Sequence, residues 1–553
     1  MTSRATTPTA SVPLWIGPQL SVQEGRDPLG LQTTTQDRIM PLLLPGVLEL
    51  TQRARYLAFH AFLLAEYRRL RYPANLSSLS TFVKRREWDF GLAVLVCPRG
   101  CGSSPVGANR LRPVVHTNGQ RLPRGESVKS PLGGYGLYYR SPLAELGIVA
   151  RAGTMLGDTA ISVDVLTESP RAAALASTFG DTVRGTDYYR TWMSRDEDVP
   201  IEVIRDLADV ACLCQLSAHP EERDAVLAAL FELDADSKQE PEQHLVDPAD
   251  SLDVAAINVA ARAATQRRDS FALYLSLVDA DPTVVTGESA YRESLWSPPV
   301  AASSGTSERW AALIAKDVWQ DALCSIWTEF CTVGLKVSRD KGRGLTWTET
   351  ETLVRDMTAG PPQLAAGTTL EELTEHLTSG AVLLSSGINA GEESLEGLRA
   401  WTVRASTATS GLVVLLELAR RAQERTDPGW REVSALDSAW QPSLAAVLAA
   451  LNAHMTTGGS VSDALWWIVE RHVLRVHEHV AYSKLPEFTF RFRWESGLLQ
   501  FYDNGVGRFP LASIRRQPFA TLTRDLDLWE PDSNGQAHLT VLGRAFASDR
   551  QPR

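Results

Sequence analysis

The chain contains 553 residues, of which 44% are hydrophobic and 22% are charged, and its formal net charge is −11. These proportions are ordinary for a globular protein, and the length allows two to four domains. The longest apolar runs, such as "GLVVLLELA", are too short to cross a bilayer, so the sequence predicts no membrane partner. The negative balance by itself argues against nucleic acid as a partner.

The charge is unevenly distributed along the chain. Residues 51–151 contain 16 Lys and Arg against 5 Asp and Glu, whereas residues 152–480 contain 26 against 49. A basic region followed by an acidic body indicates two surfaces with different partners. The alternative is that the two regions attract each other within one fold, and the sequence leaves both readings open.

The chain begins with "MTSRATTPTASVP", which is rich in Ser, Thr and Pro, with one Arg and no apolar core. This composition predicts a disordered or extended tail over residues 1–35 rather than a signal peptide. The six cysteines show no dense pattern, as is usual in a reducing compartment. We therefore expect a cytoplasmic protein.

Two helices are predicted in the basic region. Apolar residues recur at helical spacing from Val47 onward, with Pro45 at a position that a first helical turn tolerates. A second helix is predicted over "SLSTFVKRREWDFGLAVLVC", residues 78–97, with Ser80 as its N-cap. Residues 98–134 are rich in Gly, Pro, Ser and Arg and are predicted to form a loop.

Two segments resemble the later half of a winged-helix module. In "YYRSPLAELGIVARAGTMLGDTAISVDVLTESPRAAALASTF" a short helix ends at Gly147, two β-prone stretches follow, and Leu166-Thr167 opens another helix. In "LTRDLDLWEPDSNGQAHLTVLGRAFASD" the corresponding step is Leu526–Trp529, Asn534-Gly535 supplies a hairpin turn, and Leu539-Thr540 opens the last helix. The spacings differ, so the segments are alike in kind without being a strict repeat. Winged helices pair with proteins as readily as with DNA.

The remaining patterns complete a domain scheme. Residues 196–480 show helical spacing of apolar residues, separated by acidic loops such as residues 232–253, and residues 488–493 alternate as a strand does. We predict a mainly α, multidomain protein with a helical body and winged-helix-like α+β segments near its N- and C-terminal regions. The predicted boundaries are a tail over 1–35, a basic helical plus winged-helix-like domain over 36–195, an acidic helical body over 196–480, and a small α+β winged-helix-like domain over 481–553.

The pentapeptide "DNGVG", residues 503–507, resembles the nucleotide-contacting segment of the GHKL ATPases. That family also requires a helix with Glu and a magnesium-coordinating Asn four residues apart. The upstream helix has Glu470, but Leu474 stands where the Asn is needed, and neither a glycine-rich lid nor enough chain follows Gly507. We therefore interpret the segment as a polar turn that ends a strand region.

No metal site, cofactor or catalytic residue is predicted. His472, His477 and His479 are five and two residues apart, whereas a helical zinc pair requires a spacing of four. Cys97 and Cys101 form a lone Cys-x3-Cys with Cys212 and Cys214 far away in sequence, and Cys324 and Cys331 have the spacing of buried core residues. An enzyme of unrecognised type remains an alternative, which would need a buried charged cluster.

The basic region supplies the candidate binding residues, since guanidinium groups contact phosphates in bidentate fashion and stack on bases. A cluster of cations at the end of a helix is also favoured by the helix dipole without any ligand. The predicted nucleic-acid-binding residues are Arg53, Arg55, Arg68, Arg69, Arg71, Lys84, Arg85, Arg86, Arg110, Arg112, Arg515 and Arg516.

The segments "DPLGLQTTTQDRIMPLLLPGVLELTQRARYLAFHAFLL", "FVKRREWDFGLAVLVC" and "KLPEFTFRFR" resemble an uncharacterised bacterial protein family associated with gene clusters for defence against phage. The resemblance implies a context and no mechanism. The leading hypothesis is a non-enzymatic nucleic-acid-binding or adaptor subunit of a bacterial defence or DNA-maintenance complex, with nucleic acid and partner subunits as its partners. The alternative is a purely structural protein–protein scaffold, in which the acidic body binds a partner protein and the basic region packs against acidic segments.

Overall fold

The computed structural model describes residues 27–116, 120–156, 159–232, 250–298, 305–359, 393–457, 460–505 and 507–548. The fold is mainly helical, as predicted. The α-helices of the first half are α1 (Leu31–Thr33), α2 (Met40–Leu43), α3 (Arg55–Arg69), α4 (Leu76–Leu95), α5 (Ala108–His116), α6 (Arg140–Glu145), α7 (Pro170–Val183), α8 (Ile201–Ala211), α9 (Pro220–Phe231), α10 (Asp250–Ala280) and α11 (Glu288–Trp296). Those of the second half are α12 (Thr306–Lys341), α13 (Trp347–Asp356), α14 (Leu395–Ala405), α15 (Ala408–Ala422), α16 (Pro428–Ser434), α17 (Leu444–Thr456), α18 (Val461–Ile468), α19 (Arg475–Ser483), α20 (Arg516–Asp525) and α21 (Val541–Ser548).

Short helical turns and strands complete the secondary structure. The π-helical turns are Thr34–Ile39, Tyr135–Tyr139, Tyr188–Trp192 and Val469–Leu474, and the 3-10 turns are Leu213–Ala218, Pro282–Val285 and Met357–Ala359. The strands are β1 (Arg121–Leu122), β2 (Val149–Ala150), β3 (Met155–Leu156), β4 (Thr159–Ala160), β5 (Val165–Leu166), β6 (Val199–Pro200), β7 (Phe492–Glu495), β8 (Leu498–Phe501), β9 (Trp529–Pro531) and β10 (Ala537–Leu539). They form five two-stranded antiparallel sheets that pair β1 with β6, β2 with β5, β3 with β4, β7 with β8, and β9 with β10.

The chain divides into two compact units, and the four-part division expected from the sequence stays a prediction. The first unit contains the described residues up to Met40, a short piece at 295–297, and residues 307–512. The second contains residues 41–294, 298–306 and the chain from Ser513 onward. The C-terminal segment thus shares a unit with the basic region, because its helices pack there. Residues 1–26 of the predicted tail and residues 233–249 of the predicted acidic loop lie outside the described part. The described end of the predicted tail contains Leu29 and Leu31, which are buried.

The core of the first unit is built around α12. Its three tryptophans, Trp310, Trp319 and Trp327, are each at most 2% exposed. Helix α15 packs closely on it at Gly411, where an added Cβ would lie 2.5 Å from the backbone oxygen of Ala322. Only glycine permits this approach, so the close packing of α12 and α15 depends on that residue.

Two of the three histidines near α19 belong to this core, while His479 is exposed. The ring of His477 lies 4.7 Å from that of Trp327, its Nδ1 is 3.1 Å from the backbone oxygen of Pro28, and its Nε2 accepts a hydrogen bond from the Arg491 N–H at 2.9 Å. A carbonyl can only accept, so Nδ1 carries the proton and the imidazole is neutral. Burial lowers the pKa of His477 to about 4, with a smaller contribution from the positive charge of Arg491.

The strand region near residue 490 is a hairpin of β7 and β8. Its turn lies at Ser496 and Gly497, which both have positive φ, and Phe492 packs against the α12 side chain of Phe330. The "DNGVG" segment follows the end of β8. There Asp503 pairs with Arg339 at 2.7 Å, and the Asn504 side chain donates to the backbone oxygen of Phe490. The segment is therefore a turn whose side chains contact α12 and the chain just before β7.

In the second unit, aromatic side chains of α3, α4 and α7 form the core. Phe59 stacks on Phe90 with ring centroids 4.3 Å apart, and Phe179 meets both rings edge-on. Helix α4 begins earlier than predicted, because the Asn75 side chain accepts a hydrogen bond from the Ser78 N–H at 2.8 Å. Ser80 therefore lies inside the helix and is not its N-cap.

Two further predictions in this unit were wrong. The first helix begins at Arg55 and not near Val47, and the Ala54 N–H just before it donates to the Asp525 carboxylate at 3.1 Å. The residues predicted as loop, 98–134, contain helix α5 and strand β1, and β1 is held by pairing with β6 from residues 199–200. Such long-range pairing leaves no signal in the local sequence.

A fully buried ion pair joins the helices of this unit. Arg55 Nε and Nη2 each lie 2.8 Å from an oxygen of Glu222, and the two side chains are 0% and 1% exposed. The third guanidinium nitrogen donates to the backbone oxygen of Cys212 at 2.6 Å, and the guanidinium lies 5.5 Å from the ring centre of Phe179. This single side chain therefore contacts α7, α9 and the end of α8.

Residues 140–183 and 516–548 each fold as helix, hairpin and helix. In both, the second residue after the first helix has positive φ: Gly147 at 74° and Asp527 at 61°. In both, a threonine after the second hairpin strand donates its hydroxyl to the carbonyl of that residue at 2.7 Å, namely Thr167 to Gly147 and Thr540 to Asp527. The two segments thus share a hydrogen-bonding pattern, and the longer spacing of the first is accounted for by β3 and β4.

Among the described residues, the helices that reach 18 residues all carry too much charge or too little hydropathy to cross a bilayer.

We expect the substitution Glu222→Gln to lower the free energy of unfolding by about 3–5 kcal/mol, because it leaves the guanidinium of Arg55 buried without a counter-charge. Urea denaturation followed by tryptophan fluorescence measures this loss. The matched control is Asp196→Asn, which breaks an exposed pair with Arg85 and is expected to change stability by about 1 kcal/mol at most. Equal effects of the two substitutions would contradict the prediction.

The neutral imidazole of His477 makes stability depend on pH. Its pKa of about 4 in the folded state lies below the value of about 6.5 in an unfolded chain, so the unfolded state binds more protons between these values. The stabilisation is complete above about pH 6.5 and is lost as the pH falls toward about 4. We expect the substitution His477→Gln to reduce the acid-induced loss of stability measured by thermal unfolding from about pH 7 to about pH 5. His479→Gln, two residues away and exposed, should leave that loss as it is.

Candidate functional site

Three of the predicted binding residues are held by contacts within the second unit: Arg55 and Arg86 are buried, and Arg53 keeps 20% of its side chain exposed. Arg55 is held in the buried ion pair with Glu222. Arg86 is 3% exposed, stacks on the ring of Phe82 and donates to the backbone oxygen of Met193, and burial lowers its pKa. Arg53 makes two hydrogen bonds of 2.9 Å to Asp525. Their role in the structure is to join elements of one unit.

Four other predicted residues pair with acidic groups near the surface. Arg516 pairs with Glu288 at 2.9 Å, and Arg515 pairs with Glu49 at 3.6 Å. Lys84 pairs with Glu126 at 3.3 Å, and Arg85 pairs with Asp196. The last two line an open cavity of about 750 Å³, where Asp198 also contributes negative charge. Its lining mixes four cations, which include Arg124 and Arg140, with three carboxylates, so most of its positive charge is balanced within the cavity.

The remaining predicted cluster, at the end of α3, lines a groove that we call the arginine groove. It has a volume of about 620 Å³ and lies between the end of α3 and the segment formed by β5 and α7. Its charged residues are Arg68, Arg69, Arg71 and Arg184 together with one carboxylate, that of Glu168, so the cations outnumber the anions. Arg184 was not predicted from the sequence, because it is distant from the other three in the chain and only the packing of α7 on α3 brings it close.

The arginine groove retains unneutralised positive charge. Arg68 and Arg71 are exposed and make no ion pair with any residue that the structure describes. Arg69 pairs with Glu66 at 2.6 Å but stays 57% exposed, and Arg184 is 44% exposed beside Asp181. Partial exposure leaves donor groups available for a further acceptor, since a guanidinium carries five N–H donors.

Arg71 has an unusual backbone conformation. It follows the end of α3 with a φ of +56°, and the Tyr72 N–H closes the helix by bonding to the Tyr67 carbonyl at 3.3 Å. This position normally favours glycine, and a side chain there costs about 1–2 kcal/mol. A strained residue retained beside an open groove is compatible with a use for its side chain.

Arg110 and Arg112 are exposed on α5 and lie outside the lining of the arginine groove. Arg110 donates to the backbone oxygen of Glu126 at 3.3 Å. The two side chains therefore add positive charge to another part of the surface.

One buried titratable cluster bears on the enzyme alternative. His60 and Glu87 are 1% and 2% exposed, with 3.6 Å between Nε2 and the carboxylate. Burial lowers the pKa of His60 to about 3 and raises that of Glu87 to about 8, so neither charged form is favoured at neutral pH. Tyr56 and Tyr139 cover the imidazole at 5.6 Å and 5.1 Å. A substrate cannot reach either group, and the cluster is part of the packed core.

Four cysteines that are distant in sequence meet in the second unit. The Sγ atoms of Cys97, Cys101, Cys212 and Cys214 all lie within 4.8 Å of one another. The separation is 3.8 Å between Cys97 and Cys214 and 3.6 Å between Cys101 and Cys212. From their spacing in the sequence, Cys97-Cys101 and Cys212-Cys214 are expected to be two separate pairs that bind no metal. The premise of separate pairs is wrong, because packing of α4 against α8 brings their C-terminal ends together.

Local structure presents each pair at the end of a helix. Cys97 follows α4, and the Gly100 N–H bonds to the Cys97 carbonyl at 3.0 Å, which forms a tight turn that returns the chain to Cys101. Gly100 has a φ of +58° with open space around it, so the turn geometry itself favours glycine there. Cys212 caps the end of α8, and a 3-10 turn places Cys214 next to it.

The thiols differ in their electrostatic environments. Burial opposes ionisation of Cys101, but hydrogen bonds from Ser103 and from the neighbouring thiols outweigh it and lower its pKa to about 7. Burial raises the pKa of Cys212 far above its usual range, and it also raises that of Cys214. Four soft donors at these distances have the arrangement of a thiolate site for one metal ion.

Comparison with known proteins adds no assignment to these sites. No protein-family model matches the sequence, and neither a curated protein nor a solved structure matches it. The chemistry of the arginine groove and of the four cysteines therefore rests on the residues of this chain alone.

Proposed function

We propose that this protein is a non-enzymatic nucleic-acid-binding or adaptor subunit that contacts a phosphate backbone through the arginine groove. The observation that carries the proposal is the convergence of four guanidinium groups on one open groove, two of them without an acidic partner among the described residues. Six of the other predicted residues are already paired with carboxylates, namely Arg53, Arg55, Lys84, Arg85, Arg515 and Arg516. Of the twelve residues predicted to contact phosphate, we therefore assign this role to those that line the arginine groove.

The chemistry of the groove suits a nucleic-acid backbone. Guanidinium groups form bidentate hydrogen bonds with phosphate oxygens, and such contacts give affinity that depends steeply on salt with little sequence information. Val165, Leu166 and Ala173 supply an apolar wall opposite the arginines. Sugar and base edges can pack against such a wall while the phosphates face the guanidinium groups.

The two helix–hairpin–helix segments support a winged-helix-like assignment for this region. Their shared hydrogen bonds at Thr167 and Thr540 make them two versions of one local structure. Strand β5 and helix α7 of the first version line the arginine groove. The resemblance to a family of bacterial defence gene clusters supports a role in a defence or DNA-maintenance complex.

A structural protein–protein scaffold is the second candidate. It is favoured by the ion pairs that join basic and acidic segments within one unit, such as Arg53 with Asp525 and Arg55 with Glu222. A partner protein would then bind the acidic helical surface, and the arginine groove would face solvent. The two candidates differ in whether the groove binds a polyanion.

We expect the double substitution Arg68→Glu and Arg71→Glu to weaken binding of a short DNA or RNA duplex or single strand at least about tenfold, because two phosphate contacts are replaced by repulsion. The salt dependence of log Kd should fall by about 2 in slope, about 1 for each lost contact. Fluorescence anisotropy with labelled oligonucleotides measures both quantities.

Arg431→Glu is the matched control, since it makes the same charge change at an exposed position of α16. Its affinity and salt slope should stay close to those of the wild type. If the wild type binds none of the oligonucleotides, or if the control weakens binding as much as the double variant, the groove is not the interface and the scaffold candidate is favoured.

The strain at Arg71 gives a second test that separates stability from binding. Arg71→Gly relieves the positive φ, so we expect the thermal stability to stay equal or to rise by up to about 1 kcal/mol while oligonucleotide affinity falls. Ser406→Gly is the control, since Ser406 ends α14 with a φ of +51°. It should show the same stability change with unaltered affinity. A loss of stability in Arg71→Gly that parallels its loss of binding would contradict this account.

A further inference from the structure

We propose that Cys97, Cys101, Cys212 and Cys214 form a structural zinc site, with one Zn²⁺ bound by four thiolates. The site is distinct from the arginine groove, and neither proposal depends on the other. Binding of the ion replaces the four thiol protons and leaves a centre with a net charge of −2. Because all four coordination positions are filled by protein, the ion has no open position for a substrate.

The distances fit a single tetrahedral ion. A zinc–sulfur distance of about 2.3 Å requires thiolates about 3.8 Å apart along each edge of the tetrahedron. The sulfurs of Cys97 and Cys214 are 3.8 Å apart, those of Cys101 and Cys212 are 3.6 Å apart, and every pair lies within 4.8 Å. Binding thus requires only small side-chain adjustments. No other group of three or more possible ligands in the described residues reaches this geometry.

Two other uses of four cysteines fit less well. A disulfide requires two sulfurs about 2.05 Å apart. The sulfurs of Cys97 and Cys214 are 3.8 Å apart, and those of Cys101 and Cys212 are 3.6 Å apart. An iron–sulfur cluster arranges its thiolates around two or four irons, which holds them further apart than ligands of one ion. Compact separations between all four sulfurs therefore favour a mononuclear site.

The surroundings of the site call for a cation. Cys97 and Cys212 follow the C-terminal ends of α4 and α8, where the helix dipoles place partial negative charge. Four thiolates next to these ends would repel one another, and a divalent ion between them removes the repulsion. The Ser103 N–H lies 3.5 Å from the Cys101 sulfur, and the Gln215 side chain lies 3.4 Å from the Cys214 sulfur. Such N–H groups orient and stabilise metal-bound thiolates.

The spacing within the pairs explains why the site is hidden in the sequence. Zinc pairs are usually separated by two to four residues, so Cys97 and Cys101 fit this range while Cys212 and Cys214 are too close to be recognised. A single residue between the latter two suffices because a 3-10 turn follows Cys212 directly. Zinc would join the loop after α4 to the turn after α8, next to the carbonyl of Cys212 that Arg55 holds.

The test is the metal content of the full-length chain, purified without a chelator from zinc-supplemented medium and measured by plasma mass spectrometry. We expect about one zinc per chain in the wild type. Cys101→Ser combined with Cys214→Ser should reduce this to less than about one tenth, because the two remaining ligands bind zinc weakly. These positions are exposed and half-buried, so the serines disturb the core little.

The control variant is Cys324→Ala with Cys331→Ala, which removes two buried thiols of the first unit and should retain the zinc. A mercurial titration of the wild type, with a zinc-sensitive dye, needs no variant and should release one ion as the cluster thiols react. Cobalt substitution should give the visible absorption of tetrahedral cobalt thiolate. The proposal is overturned if the wild type contains no zinc, if it contains iron, if peptide mapping finds Cys97–Cys214 and Cys101–Cys212 disulfides, or if the serine variant keeps its zinc.

Discussion

The buried pair of Arg55 and Glu222 is the interaction on which the second unit depends. A guanidinium with 0% exposure requires a counter-charge and acceptors for its N–H groups, and these come from α9 and from the carbonyl of Cys212. Meeting that requirement fixes α3 against α9 and holds the chain after α8. The four cysteines meet at this same place, so the geometry of the proposed zinc site is tied to the geometry of the pair.

The same electrostatic requirement explains the distribution of charge along the chain. The basic region does not form one continuous positive surface, because many of its cations face carboxylates that come from distant segments, as Arg53 does with Asp525. A cluster of arginines in a sequence thus has two physical outcomes. Arginines that pack next to carboxylates form ion pairs within the unit. Arginines that pack next to apolar side chains, as Arg68 and Arg71 do, remain available to a ligand.

Local patterns predicted much of the secondary structure and little of its assembly. The helical spacing of apolar residues identified α3, α4 and the helices around α12, and the step at Leu526–Trp529 identified a helix followed by a hairpin. The starts of α3 and α4 were misplaced, because the carboxylate of Asp525 accepts the Ala54 N–H and Asn75 caps α4. Of the predicted binding residues, the sequence could not distinguish buried Arg86 from exposed Arg68, since both lie on amphipathic helices.

Composition and periodicity therefore determined that this chain is mainly helical, that its charge is segregated, and that it carries two segments of one helix–hairpin–helix type. Tertiary structure alone decided which arginines face solvent and that Cys97 and Cys101 meet Cys212 and Cys214. The physical reason is the distance along the chain over which the two kinds of interaction act. Helix formation depends on neighbours within about four residues, whereas ion pairs and metal ligands depend on which helices pack together, and α4 and α8 are separated by about a hundred residues of chain.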